Sequence, residues 1–110
     1  MANTPSEKNS TFELRDDAPA AEAVGPIYTR RGDYGGHHGR DKFWYYSNVI
    51  TPQTRAFVSV SEGQGDNKFV GAASMSVENV AARNGVVEFR LFIDWPSNLG
   101  TVVDFLFVNP

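Results

Sequence analysis

The side chains with the capacity for chemistry gather in one part of this chain. Arg31-Gly32-Asp33-Tyr34-Gly35-Gly36-His37-His38-Gly39-Arg40 is glycine-rich and carries two histidines, an aspartate and a phenol, and Phe43-Trp44-Tyr45-Tyr46 follows directly. In an extended strand Trp44 and Tyr46 share one face, their rings about 7 Å apart, close to the length of one sugar ring. Asp33, Tyr34, His37, His38 and Arg40 offer donors and acceptors for hydroxyl groups, and the glycines let backbone approach a ligand closely. The chemistry that suits this set is carbohydrate binding by stacking and hydrogen bonding. The competing reading is that a Phe-Trp-Tyr-Tyr strand is core, because aromatics dominate the cores of small domains.

Other chemistries fit less well. His37-His38 offers imidazoles, but a structural zinc site takes about four ligands, and the chain has no cysteine and only these two histidines. Adjacent residues of an extended chain also point in opposite directions. No metal or cofactor is therefore expected. Arg31-Gly32-Asp33 spells a tripeptide associated with integrin recognition, yet a glycine flanked by charges is ordinary loop chemistry. Asp94 and Asp104 fall on one face of neighbouring strands in the register argued below, with Arg90 placed to neutralise them, so they make a poor acid pair for glycoside hydrolysis. No phosphate-binding loop and no nucleophile–base order can be placed, and the expectation is a protein without catalytic activity.

The 110 residues form one domain, 41% hydrophobic and 13% aromatic, enough to build a core. A net charge of −3 argues against binding nucleic acid through phosphates, which needs a basic surface. No apolar run approaches the roughly 20 residues that span a bilayer. Met1 to Asp17 is polar and lacks the apolar centre of a classical signal peptide, which makes the cytoplasm the default compartment.

Residues 1–25 read as a polar arm, with a strand-like stretch at Thr11–Arg15 and room for one helical turn around Glu22. Residues 26–110 read as the folded domain. Within it, Ile27 to Arg31 is a short strand, Gly32 to Arg40 a loop, Lys42 to Ile50 a strand apolar on both faces, and Arg55 to Glu62 another strand. Short strands and Gly/Pro turns predict an all-β, single-domain antiparallel β-sandwich or flattened barrel, ending in a C-terminal three-stranded meander from Phe69 to Val108. The architecture resembles that of small lectin-like sandwiches, a likeness of layers rather than of motifs.

The centre of that meander is Val86 to Trp95. Val87, Phe89, Leu91, Ile93 and Trp95 alternate with less apolar residues, which is the period of a strand with one buried face. Asn84-Gly85 marks a hairpin. A two-residue turn would set Glu78 opposite Leu91, whereas a three-residue loop, Arg83-Asn84-Gly85, sets Val77 opposite Leu91, Met75 opposite Ile93 and Glu78 opposite Arg90. The second pairing keeps like with like, and it is the expected one, with Gly85 at positive φ. Val103, Phe105 and Phe107 continue the core face.

The other face of the meander carries Val70, Val80, Val86, Phe92, Val102, Leu106 and Val108 among charged residues. An apolar sheet face with a charged rim is what an interface looks like. Val80, Val86, Phe92, Val102, Leu106 and Val108 are thus the expected contact residues of a homo-oligomer or of a complex with a protein partner, with carbohydrate binding as the alternative function.

Overall fold

The computed structural model describes residues 11–17 and 26–110. The expected turn at Glu22, and the arm before Thr11, lie outside these. The described chain forms β1 (Glu13–Arg15), β2 (Ile27–His37), β3 (Gly39–Tyr46), β4 (Arg55–Gln64), β5 (Asn67–Phe69), β6 (Ser74–Arg83), β7 (Val86–Asp94) and β8 (Leu99–Val108). They make two four-stranded sheets, β1-β3-β7-β6 and β2-β8-β4-β5. The protein is a β-sandwich.

Alternation builds both inner faces. Val87, Phe89, Leu91 and Ile93 of β7 face Val103, Phe105 and Phe107 of β8, and all seven are buried. β3 adds Phe43 and Tyr45. Across the gap between sheets, the rings of Tyr45 and Phe105 lie 4.4 Å apart and those of Phe89 and Phe105 meet edge-on at 5.5 Å. Such pairs add stabilisation beyond the area they bury.

The segment placed with the polar arm contributes to this core. β1 pairs in parallel with β3, and Phe12 and Leu14 pack against the buried cluster. The Tyr45 hydroxyl, buried at its base, donates to Asp16 Oδ2 at 2.8 Å. Burial first, and then the bond to Asp16, push its phenol far above the ordinary tyrosine range.

The C-terminal strand is not the third member of a meander. β7 pairs with β3 and β6, while β8 lies in the opposite sheet between β2 and β4. Two strands that each bury one face can sit side by side or oppose each other across a core, and alternation is the same in both cases. The connection Trp95–Asn98 carries the chain the roughly 10 Å between layers. Trp95, expected in the core, belongs to this crossing and is 39% exposed.

The β6–β7 hairpin reaches the expected pairing by another route. The turn is two residues, Asn84-Gly85, with Arg83 opposite Val86. A bulge at Glu78, between Val77 and Asn79, then shifts the register by one and restores Val77 opposite Leu91 and Met75 opposite Ile93. The favoured Asn-Gly turn and the matched apolar face are both kept, while Asn79 takes the place opposite Arg90 and Glu78 accepts from Arg40.

The glycine-rich run also departs from expectation. It is strand on both sides of His38, because β2 extends to His37 and β3 begins at Gly39. A register shift between Asp33 and Gly35 and positive φ at Gly35 and Gly39 let the chain leave one sheet and enter the other. The two crossings meet: His38 Nδ1 and Asn98 Oδ1 lie 2.6 Å apart.

Gly85 has φ 81°, and a Cβ built there meets nothing within 4 Å. The cost of a side chain at this turn is therefore backbone strain alone. Gly85→Val is expected to lower stability by about 1–3 kcal/mol, and Gly85→Asn by less, since asparagine tolerates the left-handed region. Equal denaturation midpoints for wild type and Gly85→Val would show that the turn does not hold this conformation in solution.

Candidate functional site

The residues chosen for carbohydrate chemistry are dispersed. Trp44 and Tyr46 do share the outer face of the first sheet, opposite Glu88 and Val86. β1 lies beside them, however, and the Arg15 guanidinium sits 5.1 Å from the Tyr46 ring centroid. Tyr34 is buried, with its hydroxyl donating to the Trp44 carbonyl at 2.9 Å, and burial raises its phenol far above the ordinary range. His37 is buried, and its Nε2–H donates to the carbonyls of Thr11 and Tyr34 at 2.7 and 3.1 Å. His38 is exposed on the far side of the turn, so the two imidazoles do diverge. Gly39 and Tyr46 stand at opposite ends of β3, about 23 Å apart at 3.3 Å per residue. The aromatic pair and the glycine run thus do not form one site. Among the described residues no group of three or more His, Cys, Asp or Glu side chains comes together in a way that could hold a metal ion.

The expected interface is divided as well. Val86 and Phe92 lie on the outer face of the first sheet, and Arg40 covers the Phe92 ring at 4.3 Å while Glu78 holds its guanidinium at 2.8 and 3.0 Å. The bulge places Val80 opposite Phe89, on the inward side of the edge strand. Val102, Leu106 and Val108 belong to the second sheet, and Val102 is fully buried. The misplaced third strand and the bulge explain this division.

An apolar surface does exist, on the outer face of the second sheet. Cross-strand pairing aligns Thr29, Leu106 and Phe57 in one row and Ile27, Val108 and Arg55 in the next. Ile27 is 62% exposed, Phe57 57% and Leu106 38%. The sequence reading missed Ile27 and Phe57. Phe57 carried a usable signal, since it stands with Arg55, Ser59 and Ser61 on the polar side of its strand, where an aromatic residue is out of place.

Ion pairs border this patch. Arg31 Nε donates to Asp104 Oδ1 at 2.6 Å, its Nη1 donates to Asp66 at 2.6 Å, and Lys68 Nζ donates to Asp104 Oδ2 at 2.6 Å. Asp33, two residues along β2, accepts from the main-chain N–H groups of Gly35 and Gly65. Arg31-Gly32-Asp33 is therefore bound into the sheet rather than displayed on a loop. Asp94 and Asp104 are on different sheets, and Arg90 donates to Asn79. Among the described residues no helix is long and apolar enough to cross a membrane.

Comparison with protein-family models, with characterised proteins and with solved structures finds no match to this chain.

The hydrogen bond from Arg31, and then that from Lys68, hold the Asp104 carboxyl below the ordinary aspartate range. A folded-state pKa below the unfolded one contributes stability that is present above the unfolded value and is lost as pH falls through the folded one. Stability is expected to drop as pH falls below about 4, and Asp104→Asn is expected to flatten that drop while lowering stability at neutral pH. Urea denaturation of both proteins across the acid range checks this. Parallel acid profiles would remove Asp104 from the account.

Proposed function

We propose that this protein is non-enzymatic and works by self-association through the outer face of its second sheet. The observation that carries the reading is the contiguous exposure of Ile27, Phe57 and Leu106 across three neighbouring strands. An outer sheet face is ordinarily polar, and a contiguous apolar patch on one marks a contact surface.

A second copy is the occupant that suits this surface. A two-fold interface sets the same patch against itself, so any net charge in it is repelled. Here the bordering cations Arg31 and Lys68 are matched by Asp66 and Asp104, and Arg55, in the end row, has no ion pair among the described residues. Of the groups weighed for chemistry in the sequence, His37 donates to main-chain carbonyls and Asp104 is held by two cations.

Sedimentation velocity tests the reading. Wild type is expected to associate reversibly at micromolar concentration. Leu106→Lys puts one unpaired charge on each side of a two-fold contact and is expected to weaken association at least about tenfold. Phe92→Glu, on the opposite face of the sandwich, should leave association unchanged. A wild type that stays monomeric at high micromolar concentration, or an effect of Phe92→Glu in place of Leu106→Lys, would sink the proposal.

A further inference from the structure

At the other end of the second sheet one row loses its side chains. Gly36 of β2 pairs with Gly100 of β8. Glu62 of β4 pairs with Thr101, so Gly63 comes beside Gly100, and a Cβ on Gly100 would collide with the Gly63 carbonyl. Three adjacent strands thus present bare backbone in one row, and a cleft of about 500 Å³ opens over it. Its walls come from residues that the sequence reading did not connect. Asp33 stands on one side, with Glu62, Gln64, Asn67 and Phe69 on the other.

We propose that this cleft binds a neutral saccharide. Phe69 is 56% exposed and borders the cleft, so its ring is available to stack on the C–H face of a pyranose. Glu62 accepts from hydroxyls, while Gln64 and Asn67 both donate and accept. Asp33 holds the walls together through one bond from Gly35 on its own strand and one from Gly65 in the β4–β5 turn, and a carboxylate oxygen that accepts one such bond has the capacity to accept a second from a hydroxyl. Among the described residues the cleft is lined by carboxylates and amides but by no lysine or arginine, which disfavours phosphate, sulfate or carboxylate ligands and favours uncharged hydroxyls. Its volume is within the range of small-ligand sites. The inference stands apart from self-association, because the apolar patch lies on the far rows of the same sheet.

The glycine floor supplies the readout. Glycine amide signals occupy a distinct region of a ¹H–¹⁵N spectrum. The full chain, labelled with ¹⁵N, is titrated with glucose, galactose, mannose, N-acetylglucosamine and cellotriose. At least one is expected to shift Gly35, Gly36, Gly63 and Gly100 in a saturable way at millimolar concentration. Phe69→Ala, at an exposed position, should weaken that binding at least about tenfold and leave the other strand signals in place. Glu62→Gln should weaken it while keeping the wall's shape. If none of the five sugars moves the glycine signals up to tens of millimolar, or if binding survives Phe69→Ala unchanged, the proposal is overturned.

Discussion

The contact between Tyr45 on one sheet and Phe105 on the other, 4.4 Å between ring centroids, is the interaction on which the fold turns. Around it Phe43, Phe89 and Phe107 are also fully buried, so the space between the sheets is filled largely by rings. Rings of this size tolerate little displacement, because interiors are close-packed and a gap forfeits contacts outright. The packing fixes which face of each strand looks inward. It thereby fixes the row of residues that each sheet must show to the outside.

The two outer faces that result are unlike. On the first sheet long charged side chains lie across the surface: Arg40 spans Phe92 to Glu78, Lys42 and Arg83 both reach Glu88, and Arg15 covers Tyr46. Their aliphatic stems shield the apolar residues beneath, so that face is closed by the chain itself. On the second sheet the charges collect at Asp104; the row of Leu106 and Phe57 on one side of it is left uncovered, and Val102 on the other side is fully buried. One end shows Ile27, Phe57 and Leu106, and the other shows backbone over a glycine row. Both proposed contacts arise from this asymmetry.

How much of this was legible in the sequence depended on the range of each signal. Alternation in Val87–Ile93 and Val103–Phe107 identified the strands and their buried faces, because burial acts residue by residue. The partner of each strand was not legible. Alternation is blind to whether β8 lies beside β7 or across from it, and only the three-dimensional packing decides. The hairpin shows a subtler limit. Matching apolar faces correctly placed Val77 opposite Leu91, but assigned the extra residue to the turn, where the structure spends it on a bulge at Glu78. Turn chemistry and face matching were each satisfied separately, and no local pattern marks where a bulge falls. The glycine run misled for a related reason. Glycine disfavours strands intrinsically, yet here it allows a strand to bend at a sheet corner and to lie against its neighbours without side chains. Of the candidate site, Asp33 was found but its companions were not, since Glu62, Gln64 and Phe69 join it only through pairing across β8.

The central claim is that the exposed apolar rows of the second sheet are where one copy meets another. Dilution of the ¹⁵N-labelled protein tests it most directly, because association moves the signals of the contact face and no others. Between millimolar and low micromolar concentration, the amide signals of Thr29, Phe57, Leu106 and Val108 are expected to shift together along one binding curve, with those of Trp44, Tyr46, Val86 and Phe92 unmoved. Signals that stay in place throughout, or shifts confined to the outer face of the first sheet, would contradict the account.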